Sequence, residues 1–362
     1  MRNLIFHLLL FAFLAISCKL QQTTIFIKYT QPEIAYSGRI DSSGGYGVDL
    51  YWSGSSIRIN FEGESVEALL QDETGDNYYN VIIDNTEPLL LRPDTSERYY
   101  LLASQLTSGT HSLEIFKRTE WNRGKTRFEG FRIEGKAKIL AKPHDRERKI
   151  EFYGNSITAG YAVEDTTGLD RPDSTFTNHY LSYAAMVARH YNAESQCICK
   201  SGIGITISWF PLIMPDIYDR LVPDDSNSLW DFSLYRPDLV VINLFQNDSW
   251  LVNMPERPEF KKNFGDTAPS DHELILAYEK FIAELRLHYP ETPIICALGN
   301  MDATKKGSKW MEYIERAAAN LHDAKIYTHF FPYKETPGHP SVEEQELMAQ
   351  SLIEFIDSTI LW

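Results

Sequence analysis

The sequence predicts two domains of different class, an all-β sandwich or jelly roll followed by an α/β domain whose parallel sheet is wrapped by helices. Three observations lead there. Between about Pro32 and Gly135, apolar and polar side chains alternate in short runs broken by turns. Beyond about residue 148, continuous apolar runs alternate with amphipathic helical stretches. Charge divides at the same place, with 16 basic and 19 acidic groups in 19–147 against 18 and 31 in 148–362.

In the first part, Ile57, Ile59 and Phe61 alternate with Arg58, Asn60 and Glu62, and Phe131 and Ile133 alternate with Arg132 and Glu134. A strand sends successive side chains to opposite faces, so each run has one core face. Turn signals at Ser43-Gly44-Gly45, Trp52-Ser53-Gly54, Gly75-Asp76-Asn77 and Ser108-Gly109 separate them, giving eight strand-like runs and no convincing helix. In the second part, apolar runs at 150–153, 239–244 and 294–298 have the length and composition of buried parallel strands. Between them, 272–289 places Leu274, Ile275, Tyr278, Phe281, Ile282 and Leu285 on one helical face behind a Ser270/Glu273 capping box. A second box, Ser341 with Glu344, precedes a helix expected over 342–356. The expected domains are 30–142 and 148–362.

The chain has 362 residues, 43% hydrophobic and 23% charged, an ordinary globular composition. Its net charge of −15 argues against nucleic acid and against electrostatic attachment to anionic lipid, because both need basic surface. Met1, Arg2 and the apolar run 4–16 read as an export signal over residues 1–17, too short for a transmembrane span. Cys18 stands where a lipid-anchored protein would carry its modified cysteine, so the expected location is periplasmic, secreted or outer-membrane lipoprotein. Cys197, Cys199 and Cys296 have no ligand-like neighbours and are expected to be buried and unpaired. No metal or other cofactor is expected, and a monomer is.

Ligands of open parallel sheets bind beyond the carboxyl ends of the strands. Three segments fall there. Gly154-Asn155-Ser156-Ile157-Thr158 puts a serine at the start of a helix, where free N–H groups favour developing negative charge. Ser201-Gly202-Ile203-Gly204 lets a backbone N–H approach a ligand, and Asn243-Leu244-Phe245-Gln246-Asn247-Asp248 offers amide donors. A late histidine in Pro337-Gly338-His339-Pro340 completes what acyl transfer requires: a nucleophile, a base and oxyanion donors.

These blocks resemble those of the SGNH (GDSL-type) hydrolases, with Asn155 where aspartate is more usual. The first half, including Gly38-Arg39, Trp52-Ser53-Gly54 and Gly109-Thr110-His111, is similar to the jelly-roll domain of carbohydrate esterase family 2. The resemblance implies a three-layer α/β/α domain with a flavodoxin-like parallel sheet. It also implies a carbohydrate O-acetylesterase acting on acetyl xylan or glucomannan, with Ser156 as nucleophile and His339 as base. The oxyanion hole it implies is formed by Ser156, Gly202 and Asn247, with Gly204 as the alternative to Gly202. Two departures stand out. The aspartate usual two or three residues before the histidine is replaced by Pro337 and Thr336, so a Ser–His dyad oriented by a backbone carbonyl is expected. Phe245 replaces a glycine and is expected, with Trp250, to contact substrate. An SGNH enzyme for longer acyl chains and an inactive carbohydrate-binding protein are the alternatives. The basic residues Lys117, Arg118, Arg123, Lys125, Arg127 and Arg132 are expected to face solvent or the acidic second domain, where they would form an electrostatic seam; an acidic-ligand patch is the alternative.

Overall fold

The computed structural model describes residues 23–361. The expected signal at 1–17 and Cys18 lie outside the described residues. In chain order the first strands are β1 (Thr24–Lys28), β2 (Ala35–Ser37), β3 (Ile40–Asp41), β4 (Val48–Leu50), β5 (Ser56–Glu62) and β6 (Ser65–Asp72). They are followed by β7 (Tyr79–Ile83), β8 (Leu89–Leu91), β9 (Arg98–Ala103), β10 (Thr110–Lys117), β11 (Thr126–Glu134) and β12 (Lys138–Ile139). β1 begins before the expected start at residue 30.

These strands form two antiparallel sheets. One runs β3-β4-β11-β6-β9 with β1 also paired to β11, the other β12-β5-β10-β7-β8 with β2 also on β5. The alternation read from sequence is met: along β6 buried and half-buried side chains alternate at every step. Ile57, Ile59, Phe61, Phe128, Phe131 and Ile133 fill the space between the sheets. Each such side chain contributes about 1.5–3 kcal/mol on burial. The register of β11 shifts between Phe128 and Gly130, and a Cβ on Gly130 would lie 2.2 Å from the Ile27 carbonyl oxygen. Glycine therefore permits β1 to pair there.

The second half contains β13 (Arg148–Gly154), β14 (Ala193–Cys199), β15 (Leu239–Asn243), β16 (Ile294–Leu298) and β17 (Ile326–Phe330), all parallel, in the order β14-β13-β15-β16-β17. Its helices are α1 (Ser156–Ala159), α2 (Tyr183–His190), α3 (Met214–Ile217), α4 (Gln246–Leu251), α5 (Pro258–Phe264), α6 (Asp271–His288), α7 (Trp310–Asn320) and α8 (Val342–Thr359). α6 and α7 pack on one face around Tyr153 and Ile242, and α2 and α8 on the other around Phe152 and Val241. Both expected capping boxes form, at Ser270 with Glu273 and at Ser341 with Glu344. α8 runs three residues past the expected end. Cys197, Cys199 and Cys296 are buried and free; the first two, two residues apart on β14, enter the same apolar cluster. Among the described residues, no helix is long and apolar enough to cross a membrane, and no group of His, Cys, Asp and Glu could hold a metal.

The domains meet through buried polar side chains. Arg39, just after β2, is 1% exposed and reaches across to Glu151 on β13 at 3.1 Å and to the carbonyls of Tyr218 and Arg220 at 2.7 and 2.9 Å. Trp52 donates its indole N–H to the Leu221 carbonyl at 2.9 Å. The expected basic seam forms only in part. Arg118 pairs with Glu164 and donates to the Thr175 carbonyl at 2.9 Å, and Arg123 donates to the Pro172 carbonyl at 3.2 Å. Lys125 and Arg127 instead bind Asp49, and Arg132 binds Glu67, all within the sandwich, because neighbouring strands offer nearer carboxylates. Lys117 is also turned into its own domain, donating to Asn77 Oδ1 at 2.5 Å.

Candidate active site

The order β14-β13-β15 reverses chain direction of winding beside β13, so the loops after β13 and β15 leave a crevice between them. Ser156 is the first residue of α1 and is 6% exposed. The turn that delivers it needs Gly154, where a Cβ would lie 2.1 Å from Thr158 Oγ1. Asn155 caps the helix, its Oδ1 accepting from the Ile157 N–H at 3.0 Å. An asparagine oxygen makes this bond as well as a carboxylate would, which accounts for its presence at that position.

His339 follows Gly338, whose φ of +71 bends the loop before α8. Its Nε2 lies 2.8 Å from Ser156 Oγ. The backbone-carbonyl orientation expected for this histidine does not hold. Asp170 Oδ2 lies 2.8 Å from His339 Nδ1, and Asp170 Oδ1 accepts the His339 backbone N–H at 2.7 Å. Pro337, Thr336 and Glu335 are exposed and take no part in orienting the ring. Tyr161 packs edge-on against the imidazole at 4.9 Å. Burial raises the Asp170 carboxyl, but the hydrogen bonds and charge of His339 outweigh it and hold the group below the ordinary carboxylate range.

Asp170, the carboxylate that meets His339, is not among the site residues expected from the sequence. It lies 169 positions from the histidine, with no spacing to connect them. Its loop is drawn tight by Asp165, whose carboxylate accepts from Thr167 Oγ1 at 2.7 Å and from the Arg171 guanidinium at 2.7 Å. Asp170 itself sits at φ +54, a conformation aspartate tolerates better than most residues.

Gly202 has φ +83 and lies against Trp209, and Gly204 is unsuited to the alternative role. The Gly204 N–H is already given to Ser208 Oγ at 3.0 Å, and a Cβ there would lie 2.4 Å from Asp248 Oδ2. Asn247 donates from Nδ2 to the Ile203 carbonyl at 2.8 Å and accepts at Oδ1 from Trp209 Nε1 at 3.0 Å. A primary amide has two N–H groups, so one is left for a ligand. Asp248 is fully buried and holds the neighbouring loop through the N–H groups of Ile205, Thr206 and Ile207. Burial raises its carboxyl despite those donors.

The two expected substrate-contacting aromatics differ. Phe245 is fully buried against Tyr278 and Trp310, with centroids 4.6 and 5.0 Å apart, and cannot touch a substrate. It takes the glycine position at φ +82, and apolar burial offsets a backbone cost of about 1–3 kcal/mol. Trp250 is half-buried on α4 and donates to Asp302 Oδ2 at 3.0 Å. Asp302 also lines a cleft of about 310 Å³ with Met301, Tyr333 and the 334–338 loop that leads to His339.

Comparison with known proteins agrees with this architecture. Residues 36–143 match the family model described as carbohydrate esterase 2 N-terminal. The chain is 35% identical over 350 residues to the cellulase/esterase CelE of Acetivibrio thermocellus, covering 91% of this chain but only 40% of that longer protein. It is 24% identical to an acetylxylan esterase / glucomannan deacetylase of Cellvibrio japonicus, covering 93% of that protein. A solved family two carbohydrate esterase from Clostridium thermocellum, in complex with cellohexaose, superposes with a TM-score of 0.78 at 34% identity. That likeness covers 90% of this chain and 98% of the solved one, and on it the chain belongs to carbohydrate esterase family 2, with a parallel-sheet α/β domain behind its β-sandwich.

Proposed function

We propose that the protein is an exported serine esterase that removes acetyl groups from polysaccharides of the acetyl xylan or glucomannan type, or from their oligomers. The observation that carries this reading is the unbroken hydrogen-bonded chain from Asp170 through His339 to Ser156. His339 Nε2 takes the Ser156 proton as Oγ attacks the ester carbonyl, while Asp170 holds Nδ1–H and stabilises the imidazolium. The N–H groups of Ser156 and Gly202 and the free amide hydrogen of Asn247 receive the oxyanion. His339 then returns the proton to the departing sugar hydroxyl, leaving an acetyl-serine. Water, deprotonated by the same histidine, releases acetate. The site is thus a triad, not the dyad expected from the missing upstream aspartate.

The named activities of the relatives support acetylated polysaccharide as the substrate, and Trp250 beside the Asp302 cleft is the proposed sugar contact. Export rests on the sequence of residues 1–17, where Met1 and Arg2 precede the apolar run 4–16. The test is acetate release from acetylated xylan and glucomannan by the wild type and Ser156→Ala. The expected loss is about 10⁴-fold or more; equal rates would remove the mechanism. Faster turnover of the C8 than of the acetate ester of p-nitrophenol would point to longer acyl chains instead.

A further inference from the structure

One carboxylate of the sandwich domain touches the loop that holds an oxyanion donor. Glu120 follows β10 and is 4% exposed. Its Oε1 accepts from Ser201 Oγ at 2.6 Å, and its Oε2 accepts from the Ser201 backbone N–H. Ser201 immediately precedes Gly202. The Ser201 carbonyl in turn accepts from Lys200 Nζ at 3.1 Å. That carbonyl and the Gly202 N–H belong to one planar peptide unit and point in opposite directions, so fixing one aims the other.

The clamp is itself held from behind. Lys117 Nζ, fully buried, donates to the Thr119 carbonyl at 2.9 Å and to the Glu120 carbonyl at 3.4 Å. On the far side of the loop, Trp209 N–H donates to the Gly202 carbonyl at 3.0 Å and Asn247 holds the Ile203 carbonyl at 2.8 Å. Those contacts come from the hydrolase domain and act after the donor. Lys200 holds the carbonyl of the donor's own peptide unit, and Glu120, from the other domain, fixes Ser201 one unit earlier through its N–H and Oγ.

We propose that Glu120 is a positioning residue for ester hydrolysis, a carboxylate of the β-sandwich that clamps Ser201 and aims the Gly202 N–H at the oxyanion. The sandwich domain then takes part in catalysis without supplying a catalytic residue. This rests on the reading of Gly202 as an oxyanion donor given above. A donor displaced by about 1 Å loses on the order of 10²-fold in rate, and the loss falls on the transition state more than on substrate binding.

The experiment measures kcat and KM on p-nitrophenyl acetate and acetate release from acetylated xylan. Glu120→Ala is expected to lower kcat about 10- to 100-fold with KM within twofold. Glu120→Gln, which still accepts from the Ser201 N–H, is expected to recover kcat to within about threefold of wild type. Should Glu120→Ala fail to fold, Glu120→Asp keeps the charge but withdraws the carboxylate, and carries the same expected loss in kcat. Arg146→Met removes an ion pair to Glu114 at the opposite end of β14 from Ser201 and is expected to leave kcat unchanged. Wild-type kcat in Glu120→Ala, a rise in KM in place of the fall in kcat, no recovery with Gln, or an equal loss in Arg146→Met would each overturn the proposal. An active Ser156→Ala would instead overturn the reading on which it rests.

Discussion

The two domains bury their side chains in different ways. Along β6 every second residue is buried, whereas all five residues of β15 and all five of β16 are. A sandwich sheet has one core face, and a parallel sheet between helix layers has two. The contrast reverses for charge. The sandwich carries Arg39, Arg118 and Glu120, each 5% exposed or less, at the end where it meets the hydrolase domain. None has its main side-chain partner within the sandwich; those partners are Glu151, Glu164 and Ser201. Alone, the sandwich would leave these groups to water at an unfinished surface. The apolar layers make each domain; buried charges, together with Trp52 packed into the hydrolase-side apolar cluster, join the pair.

That contrast can be broken from the hydrolase side first. Asp170→Asn keeps the shape but replaces the carboxylate that fixes the imidazole tautomer, and the expected result is a fall in kcat of about 10²- to 10⁴-fold with unchanged thermal stability. A variant with wild-type kcat would return the site to a dyad. The seam comes next. Arg39→Ala leaves Glu151 fully buried without its cation, and the expected loss is about 3–5 kcal/mol in denaturant unfolding. A loss below about 1 kcal/mol, the size of an exposed pair, would mean that the domains are joined by apolar contact alone.

The third prediction concerns acid. His179 is fully buried, stacked on Phe116 of β10 at 6.0 Å, with its backbone N–H donated to the Arg118 carbonyl at 3.0 Å. Burial, with a smaller contribution from Arg189, lowers its pKa to about 4, and the hydrogen bond to the Thr158 carbonyl opposes this only in part. A base whose pKa is lower in the folded state binds its proton more readily when unfolded. Stability from this group is therefore complete above about pH 6.5 and declines as pH falls toward about 4. At about 1.4 kcal/mol per pKa unit the decline is roughly 3 kcal/mol. His179→Gln is expected to flatten the unfolding free energy across that window; an unchanged pH slope would assign acid sensitivity elsewhere.

Much of this was legible without coordinates because it is written over a few neighbouring residues. Ser270 with Glu273 caps a helix wherever that helix lies, and Gly154 before Ser156 prescribes a tight turn whatever surrounds it. The partner of His339 was not legible. The expected aspartate is a near neighbour in sequence, whereas Asp170 arrives through a loop whose closure depends on Asp165, Arg171 and the docking of Arg118 on Glu164 and Thr175. Phe245 misled for a related reason. A substitution of glycine beside a strand end reads as a pocket residue, but the left-handed backbone there turns the ring toward Tyr278 and Trp310.

By itself, then, the sequence determined the two periodicities, the strand-end serine and glycine, the caps and the late histidine, since each depends on backbone preference and side-chain spacing within one element. Only the tertiary structure decided which carboxylate orients the imidazole, which glycine keeps a free N–H, and which charges of the sandwich close against the hydrolase. The carboxylate and the charges are paired over distances of 46 to 169 residues along the chain, and no local preference selects a partner that only the folded surface brings into contact.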